Sequence, residues 1–433
     1  MYILHSIFNN YICTMNFDVL IIGGGAAGFF TAINCAQAQP NLSIAILERG
    51  GEVLEKVRVS GGGRCNVTHA VFEPKPLTQF YPRGNRELLG PFHSFMTGDT
   101  MEWFDNLGVS LKIEEDGRVF PVSNNSQTII DCFLKEAQKY RIEILKKSSV
   151  TEIKPFQSGW EVYTKSSLYT SSNLVVATGS NPKMLKVLEN LNFEVVSQVP
   201  SLFTFNITDT RIKNLSGLST DAVVTLLDLE QKPLEIINSP ILKDGAHGPV
   251  LITHWGLSGP GILKLSAWAA RLLKDLDYEF YIQINWLPNL LKDEVYNKLV
   301  SFRIELARQH ISTHSPFDIP KRLWKSLVEA AHIEADRRWA DITGVQLRTL
   351  SEELSGCVFR VSGKSAFKEE FVTAGGIDLK EINFKTFESK KFQNLYLVGE
   401  VLNIDAITGG FNFQNAWTGG YLAAQAIAAK FQE

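Results

Sequence analysis

"FDVLIIGGGAAGFFTAINCAQA", residues 17–38, changes periodicity across a run of glycines. FDVLII (17–22) is a short apolar run rich in β-branched side chains, the pattern of a buried parallel strand. AAGFFTAINCAQA (26–38) is a helix of small and apolar residues, ended by Pro40. Between and into them Gly23, Gly25 and Gly28 satisfy G-x-G-x-x-G, and SIAILE (43–48) supplies a second strand closing on Glu48, with Arg49 beside it. The spacing has a mechanism. Gly23 permits the tight turn, Gly25 lets backbone approach a pyrophosphate, and Gly28 lets helix and strand pack closely. The helix N-terminus at Ala26 and Ala27 offers free N–H groups and a partial positive charge to phosphates. Glu48 is placed to accept hydrogen bonds from an adenosine ribose. The reading is an α/β, doubly wound, Rossmann-like dinucleotide-binding domain.

Two distant segments say which dinucleotide. NLVVATGS (173–180) is a buried strand ending in Ala177, Thr178 and Gly179. NLYLVGE (394–400) is another, ending in Gly399 and Glu400 and running into VLNIDAITGGFNFQNAW. There Asp405 and Thr408 precede Gly409-Gly410, and Phe411 and Asn412 open a helix of small residues. An acid at a strand end, then a glycine pair opening a helix, repeats the logic of the first unit. The carboxylate suits a polyol, and the helix N-terminus suits an electron-rich ring edge. A nicotinamide dehydrogenase has no need of this second station; an FAD protein does.

A third element is SGGGRCNVTH (60–69). Taken with the first glycine motif and Glu48, GRVFPVS (117–123), THWGLSGP (253–260), TAGGI (373–377), ESK (388–390) and the C-terminal GEVLNIDAITGGFNFQNAW, it resembles the HI0933-like flavoproteins. These are also called BaiN-type or aminoacetone oxidase family FAD-binding proteins. The resemblance runs from about residue 17 to the C-terminus, and departs from the family pattern at Asn403, where relatives often carry Asp. It implies a flavin-binding α/β domain, an inserted β-barrel-like domain and a small helical domain. It also implies that Ser60, Gly61, Gly62 and Gly63 lie against the cofactor, with Arg64 and Asn66 at polar edges or phosphate. Arg64 has the alternative of a structural ion pair. Cys65 reads as a small buried residue beside the flavin, the alternative being a redox or nucleophilic thiol; no C-x-x-C supplies a partner.

The domain map follows composition. Residues 15–196 and 368–433 form the FAD-binding domain. Strand-like runs in 197–286 and 351–367 form the barrel-like insertion, and 287–350 turns helical. A helix is expected near 98–107 and another near 126–140, with an antiparallel meander over 142–170 packed on the flavin domain. Met15 directly precedes the first strand, so residues 1–14 read as an upstream extension.

A net charge of −3 leaves no electrostatic footprint for tight nucleic-acid binding over the whole chain. The five cysteines form neither a disulfide framework nor a zinc cluster, so a reducing cytoplasm is the expected home, with no metal, no membrane partner and no obligate protein partner. There is no second G-x-G-x-x-G, so NADH or NADPH would serve as a transient donor. The expected activity is an FAD-dependent oxidoreductase, with hydride passing from NAD(P)H through flavin N5 to a polarised C=C. The resemblance leaves a steroid-like enone and an RNA uridine open as substrates. The alternative is a flavin-bearing binding or sensor protein. His254 is read as a proton donor near substrate or as a structural histidine; Arg64 and Cys65 are the other catalytic candidates.

Overall fold

The computed structural model describes residues 14–236, 239, 241–365 and 372–432. Residues 1–13 of the expected extension, and the expected boundary at 367/368, lie outside the described residues. The chain forms two compact units. One holds the chain up to Gln198, Gly375–Asp405 and the chain from Gly409; the other holds Val199–Ala374 and Ala406–Thr408.

The first unit is built on a parallel sheet. Its spatial order is Leu395–Leu397, Leu168–Val176, β1 (Thr14–Ile22), β2 (Ile44–Leu47) and Glu143–Leu145. Register is tight: Ile22 stands opposite Leu47 on one side and Val176 on the other. Val19, Leu20 and Ile21 are fully buried, as a strand covered on both faces must be, and each contributes about 2 kcal/mol of apolar burial. Helix α1 (Ala26–Ala38) follows the glycine turn and packs on the C-terminal helix Phe411–Ala429. Small residues permit the approach: a Cβ on Gly420 would stand 3.0 Å from Thr31 Oγ1.

The first strand is longer than FDVLII. Thr14, Met15 and Asn16 pair with Leu168, Tyr169 and Thr170, so the strand begins before Met15. The meander is also more integral than expected. Val150–Phe156 and Gly159–Thr164 pair antiparallel, and Gly159–Thr164 then pairs with the N-terminal half of Leu168–Val176. The strand ending in Ala-Thr-Gly is therefore the last strand of the meander, which extends the sheet. The expected helices appear at Thr97–Asn106 and Gln127–Lys139.

Among the described residues, the second unit holds a seven-stranded sheet, in the order Cys357–Ser362, Glu279–Asn285, Ser219–Leu227, Ala246–Ile252, Gly256–Ser258, Thr204–Asn206 and Lys364–Ser365. Helices Lys292–Glu305, Lys321–Ala330 and Gly344–Ser355 belong to the same unit. Their core includes Trp324, whose indole N–H donates to the Ile311 carbonyl at 2.8 Å. Among the described residues, no helix is long and apolar enough to cross a membrane.

Candidate functional site

The parallel strands deliver their carboxyl ends to one edge, where open α/β sheets bind ligands. Gly23 follows β1, Glu48 follows β2, Ala177 follows Leu168–Val176, and Gly399 lies just past Leu395–Leu397. The three motif glycines differ in what surrounds them. Gly23 has φ +116, and a Cβ there would meet the Ala177 carbonyl oxygen at 2.4 Å. A Cβ on Gly28 would fall 2.0 Å from the Gly23 oxygen. At Gly25 a Cβ meets no atom within 4 Å, so that face is open for a ligand. Gly25 caps α1 without a side-chain hydrogen bond, which leaves the N–H groups of the first turn at Ala26 and Ala27 for a phosphate.

Glu48 is braced at this edge. Its Oε2 accepts the Gly24 N–H at 2.9 Å and its Oε1 accepts the Gly50 N–H at 2.6 Å. A cleft lined by Gly23, Glu48, Arg49, Ser148, Thr178 and Lys183 adjoins it. Glu400 belongs to the same edge: its Oε2 lies 3.5 Å from where a Cβ on Gly179 would stand, and Lys56 Nζ reaches it at 2.5 Å. A Cβ on Gly399 would meet Ala27 at 3.2 Å.

The decapeptide gets its glycines from conformation as well as space. The helix that starts at Glu55 breaks at Ser60, whose ψ is 149, and whose Oγ donates to the Val57 carbonyl. Gly61, Gly62 and Gly63 then take φ of +58, +68 and +83, three successive left-handed residues that side chains would strain. A Cβ on Gly61 would strike Phe120 at 2.8 Å, while at Gly62 and Gly63 it would enter open space. Ser126 pins the loop, its N–H donating to the Gly63 carbonyl at 2.9 Å.

Arg64 donates to Glu114 Oε1 at 2.7 Å and lies 3.9 Å over the Phe120 ring, so the ion-pair reading describes its present contacts. The thiol of Cys65 is fully buried, and burial pushes its pKa up to about 12 despite a hydrogen bond with Ser60. Asn66 is 8% exposed, and its Oδ1 has no hydrogen-bond partner among the described residues. Asn415, on the C-terminal helix, likewise lacks partners for both amide atoms. Such atoms cost about 1–3 kcal/mol each when unsatisfied. Together with the open faces at Gly25, Gly62 and Gly63, they are what a protein built around a polar, flat ligand presents. The residues fit FAD.

Asp405 is fully buried and held by Arg83, which donates to both carboxylate oxygens. Sequence reading missed Arg83, Lys56 and His69. Arg83 and Lys56 stand in no motif, and only the fold brings them to residues more than 300 positions away. His69 ends the quoted decapeptide, and its role shows only through the helix it meets. His254 and Thr408 belong to the second unit, where His254 is exposed beside Trp255.

Comparison with known proteins gives the family. The family model "HI0933-like protein Rossmann domain" matches residues 17–426. The chain is 27% identical to a ribosomal RNA dihydrouridine synthase of Haemophilus influenzae, over 94% of this chain and 98% of that one. It is 26% identical to the Escherichia coli protein of the same name, over 96% and 99%. A 3-dehydro-bile acid delta(4,6)-reductase of Clostridium scindens is 25% identical, over 95% and 98%. The chain belongs to the HI0933-like family of FAD-binding, Rossmann-type flavin-dependent oxidoreductases.

Proposed function

We propose that this protein is an FAD-dependent reductase that delivers hydride from NADH or NADPH to a C=C conjugated with a carbonyl inside a ring. The observation that carries the reading is the carboxyl edge of the parallel strands, where the open face of Gly25 at the start of α1 and the braced Glu48 stand at the ends of adjacent strands; the unsatisfied amides of Asn66 and Asn415 support it. The relatives named for dihydrouridine synthesis and for bile-acid reduction share that chemistry: uracil and a conjugated enone both offer a carbon made electrophilic by a carbonyl. FAD, once bound, supplies the two-electron hydride relay. The chain's own residues bind and orient it. First-turn N–H groups of α1 take the pyrophosphate, Glu48 the ribose, and Glu400 the polyol. Ala177–Gly179 and Ser60–Gly62 shape the walls, and Thr408–Asn412 with Asn66 take the ring end.

Within this reading residues 15–196 and 368–433 are the FAD domain, and the insertion has a barrel-like core. The run from Cys357–Ser362 into Lys364–Ser365 supports the latter. It bends at Gly363, φ +100, and pairs with Glu279–Asn285 on one side of the bend and Thr204–Asn206 on the other. Residues 287–350 form the helical part.

The test is anaerobic. Purified protein should release FAD on denaturation, and NADPH or NADH should bleach the bound flavin. A ring enone or a uridine-containing ribosomal RNA should then restore the oxidised spectrum. Bound flavin that neither nicotinamide reduces would leave a binding or sensor protein instead.

A further inference from the structure

The Gly409 carbonyl and the Gly410 N–H are opposite sides of one planar peptide, so whatever fixes the first aims the second. His69 Nδ1 lies 3.0 Å from the Gly409 oxygen. A carbonyl only accepts, so Nδ1 carries the proton. The imidazole also stacks on Phe411, with centroids 4.5 Å apart, and Phe411 stacks on Phe80 at 4.4 Å. Both glycines have positive φ, +132 and +95, where no side chain restrains the peptide plane.

The segment before His69 is laid along the same helix. The Trp417 indole N–H donates to the Val67 carbonyl at 2.9 Å, and Thr68 Oγ1 donates to Gln414 at 2.6 Å. Three successive residues thus meet the first two turns of this helix, and the His69 side chain hydrogen-bonds the Gly409–Gly410 peptide that precedes it. A second observation points to a ligand there. The unpartnered Oδ1 of buried Asn66 stands 2.9 Å from where a Cβ on Gly410 would be. An orphaned amide is aimed at the N-terminus of a 19-residue helix.

We propose that His69 is a positioning residue: its Nδ1–H locks the Gly409–Gly410 peptide so that the Gly410 N–H and Asn66 present a fixed polar face to the ring edge bound there. The inference rests on the FAD reading above. A preorganised N–H at a helix N-terminus favours negative charge on the group it faces, more so when it cannot turn away. His69 therefore tightens FAD binding and raises the potential of the bound flavin.

The experiment compares H69F, which keeps a flat ring on Phe411 without the donor, with H69N, which keeps a short N–H donor without the ring. H69F should bind FAD about tenfold more weakly, the worth of one well-made hydrogen bond. Its flavin midpoint potential should move to more negative values. H69N should stay near the parent in both. H69F matching the parent, or H69N failing as badly as H69F, would overturn the proposal. On the unaltered holoprotein, ¹⁵N resonances of His69 should report a protonated Nδ1, and an unprotonated Nδ1 overturns the proposal whether or not a variant folds. A parent protein without FAD would sink the function reading on its own, before any variant is made.

Discussion

Arg83 holds Asp405 through both carboxylate oxygens, and Asp405 is wholly buried while the Arg83 side chain is half-buried. The pair ties the segment before the second glycine turn to a residue 322 positions earlier in the chain. Sequence reading placed Asp405 among the cofactor residues; in the structure Arg83 holds it. Removing the guanidinium strands a buried charge, which costs about 3 kcal/mol. Arg83→Ala should show that loss in urea denaturation of the FAD-free protein as well as the loaded one. Equal stability of the apo forms would return Asp405 to the cofactor.

Gly25 and Gly28 should fail in different ways. A side chain at Gly25 meets open space, so Gly25→Val should fold and lose FAD. At 100 times Kd, that loss also removes about 2.7 kcal/mol of linkage stabilisation. A Cβ at Gly28 lands on the Gly23 oxygen, so Gly28→Val should lose soluble protein. Circular dichroism and FAD release on the two variants separate the cases. A Gly25→Val protein with full flavin occupancy contradicts the assignment.

What was legible in the sequence was whatever short-range patterning encodes. The strand, glycine turn, helix and second strand of residues 17–48 appear where periodicity put them, because local sterics and burial decide them together. The helix at Ala26–Ala38 has the bounds its composition suggested. The extra residues of β1 were hidden because Thr14–Asn16 owe their strand conformation to the partner Leu168–Thr170, not to their own character. The same holds at the site. Glycine motifs announce themselves, but Arg83, Lys56 and His69 act through partners that only folding supplies. The left-handed run Gly61–Gly63 was visible as glycines, though its dihedrals were not.

The buried thiols set an alkaline limit. Burial pushes both Cys65 and Cys132 up to about 12, from an ordinary value of 9.0. Their folded pKa values exceed the unfolded ones, so the native state keeps protons that the unfolded state gives up. Their contribution to stability is complete below about pH 9 and is lost as pH rises toward about 12. Denaturation midpoints between pH 8 and pH 11, about the span in which unfolded thiols ionise, should fall less steeply in Cys65→Ser than in the parent. Parallel profiles would mean that the Cys65 thiol is not shielded.

Arg64 and Glu114 decide whether the guanidinium serves the cofactor or only the fold. Their pair is partly exposed, so its own contribution is about 1 kcal/mol or less. Arg64→Ala and Glu114→Ala should therefore cost similar, small amounts of apo stability. FAD tells them apart. If Arg64 also meets phosphate or the ring's polar edge, its removal breaks a charge-assisted hydrogen bond that Glu114→Ala leaves intact. We expect weaker FAD retention in Arg64→Ala alone, and near-parent FAD occupancy and nicotinamide-driven reduction in Cys65→Ser. Burial pushes the thiol up to about 12, which disfavours the thiolate that a nucleophilic or redox step needs. Occupancy and single-turnover reduction measured on all three variants give the answer. A Cys65→Ser enzyme that binds FAD but no longer reduces it, beside an unaffected Arg64→Ala, would make this a thiol-dependent enzyme.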